Sequence, residues 1–156
     1  MTELRRTTIE ITGAPVAKGR GRAVSTSSGT RVITPEKTKK WEADARTEAR
    51  YQMGQAEPFT QPLSISTIVT ITPPKSWPNW KREAALEGLI PHTNKPDIDN
   101  VVKAAMDALN GIVYVDDALA YRIDARKAWG VRPSVWVLVT EVPTVSSKKE
   151  YENLKK

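Results

Sequence analysis

The stretch "NKPDIDNVVKAAMDALNGIVYVDDALAYR" occupies residues 94–122 and sets five aspartates against strongly apolar runs. Carboxylates are costly beside a core unless something positive balances them. The candidates are a helix end, a lysine or a metal ion. With a turn of about 100° per residue from Asp99, the residues Asn100, Lys103, Asp107 and Asn110 share one narrow arc with it. Val101, Val102, Ala104, Ala105, Met106, Ala108 and Leu109 fill the remainder, which predicts a helix buried over most of its circumference. Asn110-Gly111 supplies its stop. "IVYV" then reads as a short strand delivering the acidic pair Asp116-Asp117.

Two physical readings compete for these acids. In the first, Asp97 is an N-cap, Asp99 is a first-turn acid favoured by the helix dipole, and Lys103 is its i,i+4 partner. Asp116-Asp117 is then an ordinary turn. In the second, the helix start and the end of the next strand bring the acids to one side of the sheet. Converging carboxylates raise one another's pKa, and a divalent cation removes that penalty. The same ion polarises a phosphodiester, lowers the pKa of a bound water and shields the leaving oxygen. Lys103, one turn along from Asp99, is placed to stabilise charge on the scissile phosphate. Either Asp116 or Asp117 faces the ion, because neighbours in an extended chain point to opposite sides.

Composition narrows the chemistry. At 156 residues the chain is one domain with enough length for a real core. Cysteine is absent, and His92 is the single histidine, so thiolate zinc sites and two-imidazole mechanisms are excluded. Any metal is held mostly by oxygen, which favours Mg²⁺ or Mn²⁺. A net charge of +6 suits a polyanionic partner. With no membrane-length apolar run and no signal-peptide core, a soluble, cytoplasmic protein is expected.

Outward from the motif, "RRTTIEITG" (5–13) alternates as a first strand. "APVAKGRGRAVSTSSGTRVITPEKT" (14–38) reads as a mobile loop or loose hairpin turning at Ser27-Ser28-Gly29. Thr34 as cap and Pro35 at the first helical position open a helix that Gly54 closes. "PLSISTIVTITPP" (62–74) is a strand, and "KSWPNWKREAALEGL" (75–89) a short helix or ordered loop displaying Trp77 and Trp80. Those tryptophans either stack on unpaired bases or pack within the domain. "YRIDARKAWG" (121–130) and "SVWVLVTEV" (134–142) read as two antiparallel strands joined near Gly130. His92 reads as a surface histidine with its hydrogen bonds satisfied, the alternative being a phosphate contact or a weak metal ligand. The whole is an α+β domain, a mixed sheet with two main helices, spanning 1–146 and followed by a charged tail at 147–156.

"KPDIDNVVKAAMDALNGIVYVDDALA" closely resembles the signature region of the RusA family of Holliday junction resolvases, metal-dependent endodeoxyribonucleases common in phages and prophages. Asp-x-Asp-Asn, the following lysine, Ala-x-x-Asp-Ala-Leu and a terminal Asp-Asp are all present. "PVAKGRGRAVSTSSGTRVITPEKT" resembles the family's Lys-Gly-Arg-x-Arg loop and Thr-Pro helix start. The resemblance implies that the essential acids are Asp97, Asp99 and Asp117, with Asp116 a further possible metal ligand, and that Lys103 is the essential lysine. It implies Mg²⁺, with Mn²⁺ as substitute, and a RusA-like homodimer nicking both sides of a four-way DNA junction. Lys18, Arg20, Arg22 and Arg31 of the basic loop are then DNA contacts that position without specifying sequence. Lys95 stands where other members carry arginines before the acids, and joins that set. The alternatives are a non-catalytic DNA-binding protein and a less selective Mg²⁺-dependent nuclease on the same fold.

Overall fold

The computed structural model describes residues 3–156. A four-stranded sheet in the order β1-β6-β4-β5 is built from β1 (Arg6–Thr12), β4 (Leu63–Ile71), β5 (Ala120–Trp129) and β6 (Ser134–Glu141). A separate hairpin is formed by β2 (Arg22–Thr26) and β3 (Gly29–Ile33). The helices are α1 (Glu36–Met53), α2 (Asn79–Leu86), α3 (Ile98–Leu109) and α4 (Lys148–Leu154). The mixed α+β architecture expected from the alternation and the helix wheel is present.

Alternation decides which face of the sheet is inside. Ile9 and Ile11 of β1, Leu63, Ile65 and Val69 of β4, and Val135, Val137 and Val139 of β6 are all buried, while their neighbours are half-buried or exposed. That apolar face packs under α1 and α3, which also pack on each other. α1 contributes Trp41, Ala45, Ala49 and Met53, spaced four apart along one stripe. Small alanines on α1 and α3 let the two helices approach closely over the sheet.

Three local expectations are corrected. The helix α1 starts at Glu36 with Pro35 at its cap position, and Thr34 makes no capping hydrogen bond. Thr38, one turn in, serves the loop instead: it accepts from the Gly19 amide (3.2 Å) and donates to the Ala17 carbonyl. "IVYV" forms no strand. Val113 and Tyr114 are consecutive and both fully buried, which a strand with one wet face does not allow. Gly111 at φ 78° turns the chain so that this run plugs the core beneath α3. Val113 accepts from the Phe59 amide (2.8 Å) and Phe59 from the Val115 amide (3.0 Å).

Nor do β5 and β6 form a hairpin. β4 lies between them, antiparallel to β6 and parallel to β5. Arg122, Asp124, Arg126 and Lys127 mark β5 as a strand suited to an open edge, whereas β4, which has no charge, and β6, charged only at its last residue Glu141, gain from neighbours on both sides. A parallel β4–β5 pair requires a crossover, which here carries α2 and α3. The tail at 147–156 is an exposed helix whose Ser147 hydroxyl accepts from the Glu150 amide (3.2 Å). Among the described residues no helix is long and apolar enough to cross a membrane.

Candidate active site

α3 presents its polar stripe as the wheel requires: Asp99 and Lys103 are exposed, Asn100, Asp107 and Asn110 half-buried, and Val101, Val102, Ala104, Ala105, Ala108 and Leu109 buried. Its N-terminal end receives the chain from a cis Lys95–Pro96 peptide, and the Val101 amide donates to the Asp97 carbonyl (3.2 Å). At its C-terminal end, Nη1 of Arg46 donates to the carbonyls of Ala108 and Asn110, both at 3.1 Å. The Tyr114 hydroxyl donates to the Met106 carbonyl at 2.7 Å. Arg46 thereby satisfies terminal carbonyls that lack helical partners, with a cation where the helix dipole is negative, while the Met106 carbonyl also accepts from the Asn110 amide (3.1 Å). After Tyr114 the chain enters a 3-10 turn over Asp117–Leu119.

An open cleft of about 530 Å³ lies between α3, this turn and β5. Asp99, Lys103, Asp107 and Asp117 line it on the polar side, and Ile98, Val102, Met106, Ile123 and Ala125 on the apolar side. Among the described residues neither Asp99 nor Asp117 has an ion-pair partner. Asp107 is committed elsewhere: Nζ of Lys18 lies 3.0 Å from its Oδ2 and 2.6 Å from Oε1 of Glu42 on α1. Burial alone lowers the Lys18 pKa, but hydrogen bonds and charge from Glu42 and Asp107 outweigh it, and the net shift is upward. Nζ of Lys103 lies 4.0 Å from the same Asp107 oxygen and is otherwise open to solvent.

The other anticipated residues divide. Asp116 caps the turn, its Oδ1 accepting from the Ala118 amide at 2.8 Å, so Asp117 is the member of the pair that lines the cleft. Asp97 lies outside the lining and makes no helix-cap hydrogen bond. Its Oδ1 accepts from Nζ of Lys95 at 2.7 Å. That hydrogen bond, helped by the charges of Lys95 and Lys127, holds the carboxyl below its usual range. Arg20, Arg22 and Arg31 are exposed, and the β2–β3 register (Arg22 opposite Ile33, Arg31 opposite Val24) puts Arg22 and Arg31 on one face of the hairpin. Trp77 packs edge-on against Trp129 with Nζ of Lys81 over its ring at 4.0 Å, while Trp80 is 68% exposed. His92 is not a surface residue. It is 7% exposed and stacked on Trp129, and neither ring nitrogen has a hydrogen-bond partner.

The donor set bears on a metal. Among the described residues no group of three acids or imidazoles stands ready-made around one point. Mg²⁺ does not require one, since it keeps several waters and takes one or two protein carboxylates plus substrate oxygens. Asp99 and Asp117, unpaired and facing one opening, fit that pattern; Asp107, paired with Lys18, does not.

Sequence reasoning missed Glu42, Arg46 and Lys127, whose partners lie far along the chain, and Tyr114, which the expected strand left without its bond back to Met106. It also missed the apolar wall supplied by Ile123 and Ala125, although the alternation of β5 pairs these two on one face.

Fold and cleft define a class: a single α+β domain in which a helix start and a short turn present acids and a lysine at one opening. The family model described as Endodeoxyribonuclease RusA matches residues 12–140. The chain belongs to the RusA family of endodeoxyribonucleases. It is also 34% identical over 132 residues to a Bacillus subtilis (strain 168) protein named "Uncharacterized protein YqaN", covering 83% of this chain and 92% of that one.

Proposed function

We propose that the protein resolves four-way DNA junctions by paired phosphodiester hydrolysis, using Mg²⁺ or, in its place, Mn²⁺, as a homodimer. The observation that carries this reading is the meeting of Asp99 and Asp117, from separate elements, in one cleft with Lys103. Asp99 and Asp117 would hold the ion; Asp97, at the same helix start, would join them only on release from Lys95. Bound there, the ion supplies charge to the phosphate and lowers the pKa of a water. Lys103 places a solvent-facing ammonium beside the opening, where it stabilises negative charge on a phosphate oxygen. Lys18 lies between Asp107 and Glu42 and offsets one of their two negative charges, which weakens the repulsion that Asp107 would exert on a DNA backbone at the cleft. Arg20, Arg22 and Arg31 extend from the hairpin to grip phosphates, with Lys95 near the helix start.

The test is cleavage of a synthetic four-way junction and of linear duplex, with Mg²⁺ and with EDTA, by wild type and Asp99→Asn. Symmetrical nicks that need metal and fall by more than about a hundredfold in the variant are expected, with junction binding retained. Equal cutting of duplex would assign the less selective nuclease. Junction binding by wild type without any cutting would leave a DNA-binding protein.

A further inference from the structure

Lys127 lies half-buried on β5, and its Nζ donates to the carbonyls of Asn94 (2.6 Å) and Pro96 (3.1 Å). Two residues along the same face of the strand, Trp129 stacks on His92 with ring centroids 3.9 Å apart. Because neither nitrogen of His92 has a hydrogen-bond partner, stacking and apolar contact hold that ring. Trp77 closes on Trp129 at 5.1 Å, which fixes the platform. One end of β5 therefore grips the segment 92–96 through a ring stack and two charge-assisted hydrogen bonds.

That segment runs directly into Asp97 and α3, and β5 itself begins just after the turn that carries Asp117. One strand thus fixes both acid-bearing stretches. A lysine on an edge strand commonly reaches whatever oxygen is nearest, with little consequence. Here both acceptors are backbone carbonyls of a loop that has no ladder to satisfy them. The positive charge is also close enough to act on both His92 and Asp97.

We propose that Lys127 is a positioning residue of the acidic cleft: with the Trp129–His92 stack, it clamps residues 92–96 so that the helix start bearing Asp97 and Asp99 faces Asp117. The consequence for cleavage rests on the hydrolytic reading above; the clamp itself does not.

The full-length protein carrying Lys127→Met or Lys127→Arg tests this. The methionine keeps the stem and removes both hydrogen bonds, and the arginine restores charge and donors. With saturating Mg²⁺, kcat on the four-way junction falls about 10- to 100-fold in Lys127→Met, while KM stays within about twofold. Lys127→Arg recovers most of the loss. In the metal-free protein, the backbone order parameters of the amides of residues 94, 95 and 97–99 fall from rigid values of about 0.85 to below about 0.6 in Lys127→Met, while those of 101–108 stay rigid. Wild-type kcat together with wild-type order parameters in Lys127→Met overturns the proposal. So does a uniform fall in order parameters along α3, which marks general loosening. Should wild type cut no junction, the hydrolytic reading fails and the order-parameter pattern alone decides the clamp.

Discussion

Lys18 shows how one side chain changes role between chain and fold. Its place in a Gly-rich basic loop suggests a phosphate contact, yet its ammonium sits between Glu42 and Asp107. Its backbone amide donates to the Asn100 carbonyl (2.9 Å), so the loop is sewn to α3 at two points. Gly19 follows because a Cβ there would come within 2.6 Å of Pro35. Lys18→Met leaves two half-buried carboxylates facing each other, with an expected loss of about 1–3 kcal/mol read as a lower Tm. Adding Glu42→Gln recovers part of it, since one of the repelling charges is gone. The sign with pH follows from the raised pKa. The contribution is fully present below about 10.5 and is lost as pH climbs through the folded value. An unchanged Tm in Lys18→Met would return this lysine to the solvent-facing set.

Among the elements, α3 supplies most of the cleft lining, and its two ends are held by different means. At the C-terminal end, Arg46 lies 62 residues before Ala108 in sequence and still supplies the cation that the last carbonyls need. Tyr114 adds its hydroxyl from below, fully buried. Burial, followed by the charges of Asp117 and Asp107, pushes the Tyr114 phenol well above its ordinary range. Arg46→Met is expected to destabilise by about 1.5–3 kcal/mol and Tyr114→Phe by about 1 kcal/mol, measured by urea unfolding at neutral pH. Because the neutral phenol is the form the fold accepts, its stabilisation is complete below the unfolded value near 10 and is lost as pH rises beyond it. Tyr114→Phe therefore flattens the alkaline limb of the stability curve. A limb as steep as wild type would place its cause elsewhere.

On the scale of the whole molecule, what can be read in the chain is what depends on near neighbours. The polar stripe of α3, with Asp99 and Lys103 on it, and the strands β1, β4, β5 and β6 follow from periodicity, while the choice of Asp117 over Asp116 comes from the family resemblance. Which strand lies beside which is not a local property. Only four residues, 130–133, separate β5 from β6, yet β4 is inserted between them. Asp97 is the local exception: Lys95, only two residues before it, binds its carboxylate outside the cleft lining, and a wheel begun at Asp99 does not reach that pair. The surface charge is likewise a matter of placement, not of the total of +6. The β2–β3 hairpin is exposed throughout, with Arg22 and Arg31 on one face and Arg20 just ahead, whereas Lys18 is spent inside. Binding of a four-way junction by the Asp99→Asn protein, measured across salt concentrations, separates the two. Arg20→Ala, Arg22→Ala and Arg31→Ala each reduce the slope of log affinity against log salt by about 1. Lys18→Met removes the same unit of net charge and leaves the slope unchanged. Equal slopes for all four variants would mean that DNA senses the protein's overall field and not the hairpin, and the gripping role would pass to other basic residues.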